Sequence, residues 1–283
     1  MEIEFVKMEG IGNDFVLLDD RDGSIQAHTP YPQLAKKLCS RRFGIGADGI
    51  LLMLNSAQSD MTFHIYNSDG SQAQMCGNGI RCLAKYMYEN KLVSRKQIRV
   101  ETLAGLMIPE VIIDETDQVV SVRVDMGKPV LKCRDIPFKS EQDTSVEHIL
   151  RVKGTEYTIT AVSMGNPHAV IFVEDLSSVN LEQVGPEIET HERFPEKTNV
   201  EFVQVISDTE LKMRVWERGA GMTLACGTGA CAVLVAACLT GRVKDHALIH
   251  LDGGDLELFW DKTTGHVFKT GPARQVFSGT IHI

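Results

Sequence analysis

The 283-residue sequence predicts a mixed α/β (α+β) protein of two pseudo-symmetric lobes, each a sheet wrapped around one buried helix. Three observations predict it. Sequence elements recur in the same order about 150 positions apart, each Cys-Gly-x-Gly segment runs into an apolar helical stretch, and short β-branched segments lie between these landmarks.

The repeat begins with Gly12-Asn13-Asp14-Phe15, which leads into the strand-like VLLDD and is matched by Gly165-Asn166-Pro167-His168 leading into VIFVED. Next come the alternating segments Phe63–Asn67 and Met213–Glu217, each ten residues from its aromatic (Tyr66, Trp216) to a cysteine. Cys76-Gly77-Asn78-Gly79 then recurs as Cys226-Gly227-Thr228-Gly229, 150 positions later. Thr102–Gly105 matches Leu251–Gly254, and Gly127-Lys128-Pro129 matches Gly271-Pro272. Glycine and asparagine mark turns everywhere, so one such match is weak. The shared order at nearly constant offset reads as a duplication.

Ile80–Tyr88 and Ala230–Cys238 carry the helical signal, and the second is apolar nearly all round, as expected of a helix buried at the centre of its lobe. Ile98–Thr102, Val119–Val124 and Asn199–Val205 read as strands. Residues 139–150 (KSEQDTSVEHIL) are expected to be the loosest stretch.

A net charge of −9 argues against nucleic acid or an anionic membrane as partner. The sequence has no apolar run long enough to span a bilayer and no secretory signal at its start, so the expected location is cytoplasmic. The seven cysteines are an odd number, without C-x-x-C or zinc-like spacing, which suggests neither a disulfide framework nor a metal site. Cys39, Cys82, Cys133, Cys231 and Cys238 read as small buried hydrophobes.

Cys76 and Cys226 differ because each stands at a Gly-rich helix start. Unpaired N–H groups and the helix dipole there favour an anion, either a thiolate of lowered pKa or a bound carboxylate. Two such motifs in register suit a reaction that needs matched groups on opposite sides of one atom. Inverting an amino-acid α-carbon is such a reaction: a thiolate removes the proton from one face and a thiol returns one to the other. No lysine stands in a recognisable pyridoxal phosphate setting, so the N–H groups at the helix starts would have to stabilise the carbanion.

MEGIGNDF, NSDGSQAQMCGNG, ETLAG, VSMGNPHAV, FPEKTNVEFV, RVWERGAGMTLACGTGAC and GPARQVF together resemble the diaminopimelate epimerase family over essentially the whole chain. The resemblance implies two barrel-like lobes, 1–126 with 273–283 and 127–272, and an active site in the cleft between them. It implies interconversion of L,L- and meso-2,6-diaminoheptanedioate, for lysine and peptidoglycan precursors, with no cofactor and no metal. Cys76 and Cys226 would be the acid/base pair, with His168 and Glu217 tuning their protonation. Gly77, Asn78, Gly227 and Thr228 would bind the reacting carboxylate. Asn13, Asn67, Asn166, Asn199 and Glu217 would hold polar parts of the substrate, and Arg218 the distal carboxylate. Two positions depart from the pattern: Gly49 stands where many members have glutamine, and Phe277 where some have a tyrosine associated with dimer packing. A homodimer remains the expected assembly.

Proline or hydroxyproline racemases of the same fold are the nearest alternative; Arg218 and the asparagines favour a substrate with a second charged end. The cysteine pair counts against a phenazine-pathway type of isomerase. The duplicated Cys-Gly-x-Gly counts against a thiol-redox or metal-binding protein, and a non-catalytic binding module leaves the paired thiols unexplained.

Overall fold

In the computed structural model, which describes residues 1–283, the repeated sequence elements become the same succession of strands and helices twice. The chain divides into one unit of Met1–Val124 with Gly271–Ile283, and another of Asp125–Thr270.

The first unit runs β1 (Glu2–Gly10), β2 (Asn13–Asp19), α1 (Ser24–His28), α2 (Tyr31–Cys39), β3 (Gly49–Leu54), β4 (Met61–Asn67), β5 (Gln72–Ala73), α3 (Gly79–Glu89), β6 (Val100–Thr102), β7 (Gly105–Met107), β8 (Glu110–Ile113) and β9 (Val119–Asp125). Its main sheet has the order C-terminal strand Arg274–His282, β1, β2, β3, β4, β6, β7, with β5 beside β4. β8 and β9 form an antiparallel hairpin. The second unit runs β10 (His148–Val152), β11 (Thr155–Ser163), β12 (Pro167–Val173), α4 (Leu181–Glu189), β13 (Asn199–Ser207), β14 (Glu210–Glu217), β15 (Gly221–Thr223), α5 (Gly227–Leu239), β16 (His246–Leu251), β17 (Gly254–Trp260) and β18 (Val267–Gly271).

Pairing repeats as the sequence does. β2 lies parallel to β3 and β12 parallel to β13, while β3–β4 and β13–β14 are antiparallel. β4 and β14 each take a short antiparallel strand, β5 or β15, just before the helix. After the helix each gains a parallel partner, β6 or β16, which turns back into β7 or β17.

Every residue of α5 from Gly229 to Ala237 is buried. No polar stripe gives this helix a solvent side, and its small side chains let β11, β12, β13, β16 and β17 all pack against it. Each fully buried valine or leucine there contributes about 1.5–3 kcal/mol, so the helix anchors its unit. The other face of that sheet is covered too: Ile188 of α4 and Phe138 and Phe194 pack on Val200 and Phe202. Helix α3 is less uniformly apolar. It buries Ile80, Cys82, Leu83, Ala84 and Met87, while Lys85 and Glu89 bond the carbonyl and N–H of Val119 at 2.7 and 3.0 Å and so fasten β9 to it. On the opposite face, Leu34 and Leu38 of α2 pack on Val16, Leu18, Ile50 and Leu52.

The structure departs from the sequence expectation at three places. The stretch 139–150 is not uniformly loose, since His148–Leu150 open β10 and pair with Tyr157–Ile159, drawn in by the buried Leu150. The strand expected from Ile98 begins at Val100. Cys39, Cys82, Cys133 and Cys231 are buried as expected, but Cys238 is only partly so, because it sits in the last turn of α5. Burial pushes the thiols of Cys39 and Cys82 up to about 12, far from thiolate chemistry at neutral pH.

Candidate active site

In the first unit, Cys76 lies half-buried in the loop that enters α3. Its Sγ accepts the N–H of Gly79 at 3.4 Å and lies 3.8 Å from Asn13 Oδ1. Asn13 is fixed from two sides. Its Nδ2 donates to Asp48 at 2.7 Å, and its Oδ1 accepts from Asn78 Nδ2 at 3.2 Å. The buried Arg81 donates to Asn78 Oδ1 at 2.8 Å, to the Gly77 carbonyl at 3.1 Å and to the Pro272 carbonyl at 3.0 Å, locking the turn that carries Cys76. Behind Asn13 stands a charged array: Lys7 bonds Asp14 and the Gly46 carbonyl, and Arg41 bonds both Asp14 and Asp48. Burial opposes charge on Asp14, yet hydrogen bonds from Arg41 and Lys7 outweigh it and hold its carboxyl at about 2.

Asn67 ends β4 and bonds within its own turn, giving Nδ2 to Ser71 Oγ at 2.9 Å. Opposite it in the β3–β4 pairing is Gly49. A Cβ at Gly49 would lie 2.7 Å from the Tyr66 carbonyl oxygen, so a glutamine at this position has no room on this backbone. Gly49→Gln is expected to destabilise the protein by about 1–3 kcal/mol, the usual cost of overpacking. Urea unfolding checks this, and a midpoint equal to the parent's would show that the strand pair yields freely.

In the second unit, Cys226 is the N-cap of α5 and is buried. Its Sγ accepts the N–H of Gly229 at 3.3 Å and lies 3.6 Å from Thr228 Oγ1. Glu217, at the end of β14, accepts a 2.5 Å hydrogen bond from Thr223 Oγ1 and stands beside the Cys226 thiol. Burial pushes the Glu217 carboxyl above the usual carboxylate range. The sequence expectation that a helix start lowers its cysteine's pKa is corrected at Cys226. Burial, reinforced by the charges of Glu217 and Glu201, outweighs the helix terminus and pushes this thiol well up.

His168, on β12, sets its Nδ1 2.6 Å from Glu201 Oε1 and its Nε2 3.1 Å from Asn166 Oδ1. Asn199, the first residue of β13, donates to the Pro167 carbonyl at 2.9 Å and accepts the backbone N–H of Arg218 at 2.9 Å. The exposed Arg218 side chain donates to the Glu196 carbonyl at 3.0 Å. The structure thus gathers Asn13, Cys76, Gly77 and Asn78 in one unit, and Asn166, His168, Asn199, Glu217, Arg218, Cys226, Gly227 and Thr228 in the other. Asn67 stays in its own turn. Sequence reasoning missed Glu201, Arg81 and the Lys7–Asp14–Arg41–Asp48 array. A signal for Arg81 existed in its spacing, one helical turn beyond Gly77; the array joins residues far apart in the chain and had none.

The model of the family described as diaminopimelate epimerase matches residues 5–132 and 160–276. The chain is 58% identical over 283 residues to a diaminopimelate epimerase of Desulforapulum autotrophicum, covering 100% of both chains. It is 52% identical over 279 residues to one of Desulfitobacterium hafniense, covering 99% of this chain and 98% of the relative. Among solved structures, a PhzF-family phenazine biosynthesis protein of Bacillus anthracis superposes with TM-score 0.73 at 15% identity, covering 100% of both chains. A hydroxyproline epimerase of Agrobacterium vitis superposes with TM-score 0.70 at 16% identity, covering 99% of this chain and 91% of that one. At such identities the structural likeness speaks for the fold alone.

Proposed function

Because the chain belongs to the diaminopimelate epimerase family, an isomerase family of lysine biosynthesis, we propose that it inverts one α-carbon of diaminopimelate with Cys76 and Cys226 as its two bases. The reaction interconverts L,L- and meso-2,6-diaminoheptanedioate without an organic cofactor. One observation carries the reading: each of two equivalent cysteines stands at the start of a helix with its sulfur bonded to the N–H three residues on, at 3.4 Å for Cys76 and 3.3 Å for Cys226.

The mechanism follows from the two surroundings. The two-base reaction needs one proton donor and one base; Cys226, whose thiol burial pushes up, is the donor, and Cys76 is the base by elimination. Cys76 takes the α-hydrogen as a proton, leaving its electron pair on the α-carbon and carboxylate. N–H groups of the first helical turns, which have no partner within the helix, stabilise that charge at Gly77-Asn78 and Gly227-Thr228. Cys226 delivers its proton to the opposite face, and the enzyme is left with Cys76 protonated and Cys226 ionised. Catalysis in the other direction starts from that state. In this reading the lobe of residues 1–126 with 273–283 supplies Cys76 and the lobe of residues 127–272 supplies Cys226. His168 and Glu217 bias the cysteines, while Asn13, Asn67, Asn166 and Asn199 hold the substrate or the loops that meet it.

Arg218 receives the distal carboxylate, and its planar fork explains why lysine is a poor replacement. Arg218→Lys is expected to cost about 1.5–3 kcal/mol in kcat/KM, the range for a hydrogen bond to a charged group. A specificity constant equal to the parent's would remove Arg218 from the site.

The test of the mechanism is a short incubation of L,L-diaminopimelate in heavy water without pyridoxal phosphate, beside L-proline. Meso product should carry deuterium at the inverted carbon while recovered substrate stays unlabelled, because each cysteine serves one face. Equal early labelling of both would favour a single base, and turnover of proline instead would favour the racemase reading.

A homodimer and a cytoplasmic location complete the proposal. The C-terminal strand is the outermost strand of its sheet, and Val276 and Phe277 are about half exposed on it. Phe277 stacks edge-on against Phe5, 5.9 Å between centroids, so the position keeps an apolar surface without a hydroxyl. No helix is long and apolar enough to cross a membrane. Light scattering of the purified chain distinguishes dimer from monomer.

A further inference from the structure

Glu201, the third residue of β13, is fully buried, and a carboxylate there is costly unless its surroundings hold it. Its Oε1 lies 2.6 Å from His168 Nδ1, and its Oε2 has no hydrogen-bond partner in the protein. The parallel register pairs His168 with Asn199 and Val170 with Glu201, which puts His168, Asn199 and Glu201 on one face of the sheet. The first turn of α5 covers that face, and a Cβ on Gly229 would lie 2.7 Å from Glu201 Oε1 and 3.2 Å from Cys226 Sγ.

The duplication supplies an internal control. Phe15 and Leu51 stand in the first unit where His168 and Glu201 stand in the second, on β2 and β3 in the same parallel pairing. Both are buried, and Gly79 covers Leu51 as Gly229 covers Glu201. The fold therefore closes this position with an apolar pair in one unit. The second unit has a hydrogen-bonded His–Glu pair there, at a desolvation cost that packing does not require.

We infer that Glu201 is a positioning residue of the reaction: its carboxylate holds His168 as an Nδ1–H donor and thereby orients the Asn166 amide and sets the charge beside Cys226. Nδ1–H donates to Glu201, which fixes the ring's rotation; Nε2 then donates to Asn166 Oδ1 when it carries a proton, and otherwise accepts from Asn166 Nδ2 with the amide turned over. The titratable groups facing this pair are Glu217 at the end of β14 and Cys226 at the head of α5, and the charge on Glu201 adds to the upward push on both. The inference rests on the epimerase reading for its kinetic consequence, but not for the state of the ring.

Glu201→Gln and Glu201→Leu in the full chain test it, with nitrogen-15-labelled histidine for NMR and kcat, KM and pH profiles on diaminopimelate. Glutamine keeps an acceptor for Nδ1–H and removes the charge. It should retain the hydrogen-bonded Nδ1–H signal, lower kcat more than KM changes, and move the limb governed by Cys226 to lower pH. Leucine should abolish that signal and lower kcat by about 10- to 100-fold, as leaving a buried donor unpaired beside the reaction does. Unchanged kcat and pH profile in Glu201→Leu would overturn the inference. If the leucine variant does not fold, Glu201→Gln decides: wild-type kcat and pH profile would mean that only a structural hydrogen bond was restored, and would overturn it. A parent chain inactive on diaminopimelate would sink the epimerase reading instead; the dependence of the ring signal on Glu201 would then stand or fall by NMR alone.

Discussion

Cys226→Ala is expected to abolish inversion while leaving the substrate's α-hydrogen exchangeable. Without the thiol, no group delivers a proton to the second face, so turnover to the other isomer should fall by about 10²–10⁴-fold, the contribution of one positioned acid or base. Cys76 remains. As the base of this mechanism it still removes the α-proton and returns it to the same face, and because no forward collapse competes, many such cycles over a long incubation let the slowly exchanging thiol pick up deuterium. L,L-diaminopimelate incubated in heavy water with this variant should acquire deuterium with its configuration kept. Cys76→Ala should behave differently: Cys226 begins protonated, because burial, Glu217 and Glu201 all oppose its ionisation, so both inversion and exchange from that face should be nearly silent at neutral pH. Raising the pH should recover exchange in Cys76→Ala as Cys226 ionises, but should not recover inversion. The measurement is α-carbon deuterium in each separated isomer against pH. Equal exchange in the two variants at neutral pH would mean that their resting protonation states do not differ.

The duplication was legible because its markers are residues that backbone geometry demands. Gly12 and Gly165 have φ of 85° and 95°, Gly105 and Gly254 have 107° and 141°, and each of these turns needs a residue without a Cβ penalty. The central helix was legible because Gly227–Leu239 has no polar face to give to solvent. Cys76 and Cys226 followed from their spacing to those landmarks. Glu201 did not, and the reason is physical. Asn199–Val205 reads as a strand with Glu201 on the side opposite Val200 and Phe202, the side that alternation assigns to water. In this sheet α5 covers that side and the α4 layer covers the other, so Asn199–Val203 are all buried. Alternation cannot show a sheet covered on both faces. The same limit hid the charged array behind Asn13, whose members Lys7, Asp14, Arg41 and Asp48 meet only after β1, β2 and the loop before β3 are in place.

Gly229→Ala is expected to damage the enzyme far more than the equivalent change in the first unit, Gly79→Ala. On helix propensity alone both should stabilise, by about 1 kcal/mol. Packing separates them. A methyl at Gly79 would meet Leu51 Cδ2 at 2.9 Å, the free end of an apolar side chain that turns aside at little cost. One at Gly229 would meet Glu201 Oε1 at 2.7 Å and Cys226 Cβ and Sγ at 3.2 Å each. Glu201 cannot swing away without breaking its bond to His168, and Cys226 Sγ is tied to the N–H of Gly229 itself. The strain must therefore lift the first turn of α5 or displace the thiol. Overpacking of this kind costs about 1–3 kcal/mol of stability. A shift of the reacting sulfur by about 1 Å costs on the order of 100-fold in turnover. Gly79→Ala should stay within about twofold of the parent, since a displaced apolar methyl costs only a few tenths of a kcal/mol. Both variants are compared by urea unfolding and by kcat on diaminopimelate. If Gly229→Ala keeps parental kcat, the first turn of α5 has room that its contacts with Glu201 and Cys226 deny, and the close packing of carboxylate, glycine and thiol does not set the catalytic geometry.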